Sequence, residues 1–162
     1  LFLRDISWSI SSFKNQYAEM LIILLQSLSR FKYVRTASID FGEYAKITKK
    51  FDDKIPNISP ISDGTTNLTA ALNIASTDKS VMFKSKNKLL IILTDGEPNS
   101  IRNVYEELEK EYFNNNVRIL PIIIRNDDVY FIKNQIHINE ISEMPLKIFD
   151  FVKDNFRIEV NI

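Results

Sequence analysis

Five consecutive Leu and Ile residues at positions 89–93 restrict the architecture of this chain strongly. A strand with one solvated face alternates apolar and polar residues, but this run, within residues 88–94, has no polar position between its ends. It therefore predicts a central strand of a parallel sheet, covered on both faces. A second apolar run of this kind lies within residues 117–124.

Helical and strand patterns alternate along the rest of the chain. Apolar residues recur at helical spacing over residues 11–30, which predicts an amphipathic helix. The same reasoning predicts further helices over residues 67–76, 101–114, 127–135 and 146–156, a loop over 51–65, a first strand over 1–4, and a terminal strand or tail over 158–162.

One hairpin interrupts the parallel pattern. Residues 33–41 and 44–48 read as strands, and Gly42 with Glu43 predicts a tight turn between them. The expected fold class is therefore α/β: a doubly wound, mostly parallel central sheet with one antiparallel hairpin strand and helices on both faces.

Length and composition predict a single domain. The 162 residues suffice for one sizeable core, so we expect residues 1–162 to be one domain. Because the sequence starts with Leu1, we also expect it to be an excerpt of a longer chain.

The composition also bears on partners and location. The 21 basic and 21 acidic residues balance, which argues against a nucleic-acid partner. No apolar run is long enough for membrane insertion. The absence of Cys suits a reducing compartment, so we expect a cytoplasmic location.

The few Gly and His residues exclude several common α/β sites. Only Gly42, Gly64 and Gly96 occur, so neither a dinucleotide-binding loop nor a Walker-type phosphate loop is possible, and we expect no small-molecule cofactor. A single His137, expected to be half-buried in an irregular Ile-rich segment, excludes multi-histidine metal sites. The basic run at residues 84–88 reads as a solvated loop before a buried strand.

Three separate segments carry carboxylates and hydroxyls. A D-x-S-x-S motif occupies residues 5–9 after the first strand, a Gly-Thr-Thr turn occupies residues 64–66, and Asp95 follows the apolar strand. Ligands of open α/β sheets bind beyond the carboxyl ends of the strands, where the strand order reverses. If the first strand and the strand at 88–94 are neighbours, the three segments form an oxygen-only site, which suits a hard cation such as Mg²⁺.

The same residues have a purely structural interpretation. Ser7, Ser9 and Thr66 are of the types that cap helix N-termini, and Asp95 before Gly96 is typical of a turn. The partial positive charge of a helix N-terminus also disfavours a nearby cation unless carboxylates lie close by. The occurrence of all three segments in this order favours the cation site over the caps.

The three segments resemble the metal-ion-dependent adhesion site (MIDAS) of von Willebrand factor type A domains, which have a Rossmann-like fold. The family pattern is D-x-S-x-S, then Thr in a G-x-T turn, then Asp after an apolar strand, and Asp5, Ser7, Ser9, Thr66 and Asp95 occupy these positions. The resemblance implies that the three hydroxyls bind Mg²⁺ or Mn²⁺ directly and that the two carboxylates act through bound water. One position would stay open for the carboxylate of a protein partner.

The resemblance implies protein–protein interaction and no enzymatic activity. The segment at residues 94–98 is similar to bacterial members of the family, including those of tellurium-resistance clusters, which implies a role in stress response. Two residues depart from the family pattern: Trp8 stands where Gly is usual, and Ile10 where Met is common. The Trp8 indole has three interpretations: it crowds the open position, anchors a partner, or packs against a neighbouring loop.

Two other functions compete with the interaction module. In a Mg²⁺-dependent phosphohydrolase or phosphotransferase, Asp5 would attack phosphorus. Such chemistry usually needs a second acid two residues later, where this chain has Ser7, and a nearby Lys. In the other alternative the motif is degenerate and the domain is a metal-free scaffold.

Overall fold

The computed structural model describes residues 1–126 and 135–156, and in these residues a six-stranded sheet forms the centre of the fold. The strand order is β3-β2-β1-β4-β5-β6, and every neighbouring pair is parallel except β2 and β3. The strands are β1 (Phe2–Asp5), β2 (Ser38–Phe41), β3 (Ala45–Lys49), β4 (Leu89–Thr94), β5 (Arg118–Ile124) and β6 (Ile136–Ile138). The predicted α/β class and the antiparallel hairpin are confirmed.

Helices cover both faces of the sheet. α1 (Lys14–Ser29) and α4 (Met144–Asn155) pack on one face, and α2 (Leu68–Thr77) and α3 (Ile101–Glu107) pack on the other. Side chains of β4 alternate between the two resulting cores, with Leu90 and Ile92 in one and Ile91 and Leu93 in the other. Burial on both faces is why this strand has no polar residue before its last position, Thr94.

The strand order reverses between β1 and β4, which are parallel neighbours with Phe2 opposite Ile91 and Arg4 opposite Leu93. The chain leaves β1 through α1 toward β2, and it leaves β4 through α3, on the opposite face, toward β5. A crevice therefore opens at the carboxyl ends of β1 and β4, where Asp5 and Asp95 lie.

Two segments differ from the sequence prediction. β2 begins only at Ser38: residues 33–36 pair with no strand in the described part of the chain, Tyr33 is 89% exposed, and Ala37 makes a single backbone contact, accepting from the Phe2 N–H of β1 (2.9 Å). His137 is half-buried, as predicted, but it lies in the strand β6 and not in an irregular segment. β6 has three residues, too few to show the alternation of a strand in the sequence. Residues 127–134 of the helix predicted over 127–135 lie outside the described residues, and so does the strand or tail predicted at 158–162. Gln135, the last residue of that predicted helix, is not helical.

α1 starts later than predicted, and α3 ends earlier as a regular α-helix than predicted. A 3₁₀ turn (Trp8–Ser12) precedes α1, so the helix begins at Lys14 and the residues of the first motif stay outside it. α3 continues into a single π-helical turn (Leu108–Tyr112) and a short 3₁₀ turn (Phe113–Asn115), which together span the predicted helix.

A buried ion pair fixes the loop that leads to the second segment of polar residues, the turn at residues 64–66. Arg4 donates from Nε to Asp40 Oδ1 (2.8 Å) and from Nη2 to Asp40 Oδ2, and both side chains are almost completely buried. The same Nη2 donates to the Ser59 carbonyl oxygen (3.0 Å). This contact holds the loop before Thr66 against the sheet.

None of the helices in the described residues is both long enough and apolar enough to span a bilayer.

Candidate metal centre

Asp5 ends β1 and is fully buried at the floor of the crevice. Its Oδ1 accepts a hydrogen bond from the Ser7 backbone N–H (2.8 Å), and its Oδ2 accepts one from Thr94 Oγ1 (2.5 Å). Both carboxylate oxygens are therefore held by neighbouring residues, and the side chain has one defined orientation.

The hydroxyls of the first motif join β1 to the end of β4. Ser7 Oγ lies 3.0 Å from Ser9 Oγ, and Ser9 Oγ donates to Asp95 Oδ1 at 2.6 Å. Ser7 stands at the N-cap position of the 3₁₀ turn, yet its side chain makes no capping hydrogen bond. The capping interpretation of Ser7 is therefore wrong, and its hydroxyl faces the crevice residues.

Thr66 does not cap α2 either. The cap is Asn67, whose Oδ1 accepts from the Ala70 N–H (3.2 Å). A Cβ placed on Gly96 would lie 3.8 Å from Thr66 Oγ1, so this hydroxyl borders the turn that follows Asp95. Thr66 Oγ1 makes no hydrogen bond to another described residue.

The turn that carries Thr66 crosses the end of β1. The Trp8 N–H donates to the Gly64 carbonyl (3.2 Å), and the Asp63 N–H donates to the Ile6 carbonyl (2.5 Å). Gly64 has a φ of +63°, a conformation that residues with a side chain rarely adopt. This backbone geometry brings the second polar segment next to the first.

Trp8 lies between the two serines of the motif and is 70% exposed. Its indole is therefore not packed against a neighbouring loop, which removes one of the three interpretations of this residue. An exposed ring beside the crevice is available as an anchor for a partner.

Burial raises the pKa of the carboxyls at this site. The pKa of Asp5 is raised from 3.8 to about 6, because loss of hydration outweighs the hydrogen bonds from Thr94 and Ser7 that lower it. Burial also raises the pKa of Asp95, against the opposing hydrogen bond from Ser9. Two desolvated carboxylates side by side form an environment that a cation stabilises.

Two hydroxyl oxygens of the site are as far apart as two ligands of one small cation. Ser7 Oγ and Ser9 Oγ lie 3.0 Å apart, a hydrogen-bond distance that also equals the separation of about 3 Å between neighbouring ligands of an octahedral Mg²⁺ ion. Among the described residues, no group of three or more His, Asp or Glu side chains is arranged to hold a metal. A cation at this site therefore depends on the hydroxyl groups.

Sequence reasoning missed two residues that support the site. Thr94 donates to Asp5 from the last position of β4, and its signal in the sequence is a hydroxyl directly before Asp95. Asn126 donates from Nδ2 to the Asp95 carbonyl oxygen (2.9 Å), and nothing in the local sequence indicates this contact.

Sequence comparison gives one match over nearly the whole chain. The family model of the von Willebrand factor type A domain matches residues 1–159. A search of curated proteins finds no significant match.

Many solved structures share the fold. Proximal thread matrix protein 1 from the mussel byssus, with a zinc-occupied MIDAS motif, is 15% identical with a TM-score of 0.67, covering 94% of this chain and 46% of the mussel chain. The manganese-loaded TRAP protein of Plasmodium vivax is 22% identical with a TM-score of 0.65, covering 93% of this chain and 71% of that one.

A third similar structure is the pilus adhesin SpaC of Lactobacillus rhamnosus GG in an open conformation. It is 14% identical with a TM-score of 0.71, covering 94% of this chain and 29% of that chain. The chain spans less than half of the length of the mussel protein and of the adhesin. At these identities the similarity establishes the fold.

Proposed function

Because the chain belongs to the von Willebrand factor type A domain family, we propose that it is a protein-interaction module that uses a divalent cation to bind a carboxylate of its partner. The proposed ligand residues are Asp5, Ser7, Ser9, Thr66 and Asp95. The proposed cation is Mg²⁺ or Mn²⁺, and the module has no catalytic activity of its own.

The observation that carries the proposal is the convergence of hydroxyls that do not cap helices. Ser7 and Thr66 have the sequence context of caps, but neither side chain serves a helix end. Ser9 donates its proton to Asp95 and accepts from Ser7, which leaves one lone pair of its oxygen available to a cation. The hydroxyl oxygens and the two carboxylates provide the hard ligands that Mg²⁺ and Mn²⁺ prefer.

The proposed binding step follows from the charges of these ligands. Direct ligands that are neutral hydroxyls leave the cation strongly electrophilic, while Asp5 and Asp95 act through bound water. A carboxylate of the partner then completes the coordination shell. The manganese and zinc in two of the similar structures support a divalent cation at such a site.

We expect one Mg²⁺ or Mn²⁺ ion to bind per chain. Isothermal titration of the chelator-treated, desalted protein measures this directly, and the fluorescence of Trp8 provides a local reporter, because the chain has no other Trp. The fluorescence should change over the same cation range as the heat. A protein that shows neither a binding heat nor a fluorescence change with either cation is the metal-free scaffold, and the proposal then fails.

Cation affinity is expected to depend on pH through Asp5. Its pKa of about 6 means that the metal-free carboxyl is protonated below this value and must release its proton when the cation binds. The affinity for Mg²⁺ should be constant above pH 7 and fall about tenfold per pH unit below pH 6. Titrations at half-unit intervals from pH 5 to 7.5 test this. An affinity that is flat across this range would place the cation away from Asp5.

The phosphohydrolase alternative has little support in the geometry. Asp5 is fully buried, and each of its oxygens accepts a hydrogen bond, so neither is presented for attack on phosphorus. Hydrolysis of a generic phosphate ester that requires Mg²⁺ and is lost in Asp5→Asn would revive this alternative.

A role in stress response and a cytoplasmic location stay predictions from the sequence, as do the absences of nucleic-acid, membrane and small-molecule partners.

A further inference from the structure

An open depression of about 470 Å³ lies at the opposite end of the sheet from the proposed cation site, where β4 and β5 begin. Three elements line it: the loop before β4, the first residue of β5 and the last turn of α4. Its lining residues are Asn87, Arg118, Lys153, Asp154, Asn155 and Phe156.

Hydrogen bonds hold the loop before β4 against the start of β5. The Arg118 N–H donates to the Lys88 carbonyl (3.0 Å), and Lys88 Nζ donates to the Asn115 carbonyl (3.2 Å). On the other side, the Phe156 N–H donates to the Val152 carbonyl (2.8 Å) and closes α4. The loop before β4 and the start of β5 therefore form one side of the depression, and the end of α4 forms the other.

Arg118 is held in place without using its donors. Its guanidinium carbon lies 4.2 Å from the centre of the Phe156 ring, which orients the planar group. In the described part of the chain, the guanidinium makes no hydrogen bond and no ion pair. A stacked guanidinium with free N–H groups is arranged for a bidentate contact with an oxyanion.

The surrounding charges favour a dianion over a monoanion. Lys153 adds a second positive charge to the depression, and the adjacent loop carries Lys84, Lys86 and Lys88, against the single acid Asp154. The carbonyl end of α4 has partial negative charge, so the anion should lie on the Arg118 side. The formal net charge of the whole chain is zero, but the residues around this depression carry an excess of positive charge.

We propose that this depression binds a phosphate monoester group, with Arg118 as the bidentate donor and Lys153 as the second cation. The group can come from a phosphorylated side chain, a nucleotide or free phosphate. The proposal is independent of the cation site.

NMR titration of the ¹⁵N-labelled, metal-free and desalted protein at constant ionic strength tests the proposal. The probes are inorganic phosphate, phosphoserine and adenosine monophosphate, with acetate as the monoanion control. We expect saturable shifts of the amide signals of residues 87, 118 and 153–156, and weaker binding of acetate. The probe that binds most tightly identifies the source of the phosphate.

Arg118→Gln should weaken phosphate binding at least about tenfold, and Phe156→Leu, which keeps the charge and removes the stacking, about two- to fivefold. The matched control is Arg30→Gln, which removes another exposed charge, at the end of α1. It should leave the binding unchanged. Equal weakening by Arg30→Gln and Arg118→Gln, or no saturable shift in the unmodified protein, would overturn the proposal.

Discussion

Replacing Asp5 with asparagine is expected to abolish cation binding and, in the absence of a cation, to stabilise the protein. The two effects have one cause, the burial of a negative charge. The raised pKa of about 6, against 3.8 for an exposed carboxyl, means that ionised Asp5 opposes folding at neutral pH. The amide of Asp5→Asn avoids this cost but supplies no charge to balance a cation.

The surrounding hydrogen bonds can accommodate the amide. Thr94 Oγ1 now donates to Asp5, but it also lies 2.9 Å from the Gly96 carbonyl oxygen. In Asp5→Asn it can donate to Gly96 and accept from the amide, while the amide oxygen still accepts from the Ser7 N–H. No buried polar group loses its partner, so the variant should fold.

Urea unfolding with and without Mg²⁺ measures both effects. In metal-free buffer at pH 7, Asp5→Asn should be more stable by up to about 3 kcal/mol. The gain should disappear as the pH falls from about 6 toward 4, because the protonated native carboxyl no longer carries a charge. Mg²⁺ should stabilise the unmodified protein and leave Asp5→Asn unaffected.

The control is Asp63→Asn, which neutralises an exposed carboxylate in the neighbouring turn. We expect it to keep cation binding within about twofold, since an exposed charge is well screened. Stabilisation of Asp5→Asn by Mg²⁺, equal to that of the unmodified protein, would contradict the role given to Asp5.

Gly42→Ala is expected to destabilise the protein by about 2–4 kcal/mol and to weaken cation binding at least about tenfold. A Cβ at this position would lie 2.2 Å from the Asp63 carbonyl oxygen and 3.2 Å from Ile6 Cγ1. The first contact is with backbone, so no side-chain rotation relieves it. The turn at Asp63 must move, and with it the segment that presents Thr66.

Gly96, which follows Asp95, provides the matched control. A Cβ on Gly96 meets only Thr66 Oγ1, at 3.8 Å, which is an ordinary contact. Gly96→Ala should therefore change the free energy of unfolding by less than about 0.5 kcal/mol. Urea unfolding in the presence of a chelator measures the change in stability of each variant. Mg²⁺ titration of the folded variants then measures the change in cation affinity separately. Equal stability of the two variants would show that the Asp63 turn does not depend on Gly42.

The sequence predicts the sheet well where burial leaves a clear pattern. β4 and β5 are covered on both faces, so their residues are apolar except for Thr94 at the end of β4 and Arg118 at the start of β5, and their limits were predicted closely. β6 has three residues and thus no period to detect. The alternation at residues 33–36 resembles that of a strand, but among the described residues these four pair with no strand, and pairing depends on distant parts of the chain.

The candidate site was predicted as a set of residues but not as an arrangement. Whether Thr66 caps a helix depends on where α2 begins, and only the structure shows that Asn67 is the cap. The support from Asn126 depends on the β4–β5 pairing and has no local signal. The buried pair of Arg4 and Asp40 likewise becomes visible only when β1 and β2 are placed side by side.

The most direct test of the proposed cation site is a crystal structure of the protein grown with Mn²⁺, with diffraction data collected at the manganese absorption edge. The account predicts a single anomalous peak at the carboxyl ends of β1 and β4, about 2 Å from the hydroxyl oxygens of Ser7, Ser9 and Thr66. Asp5 and Asp95 should contact bound water around the ion. A peak elsewhere, or no peak at saturating Mn²⁺, would contradict it.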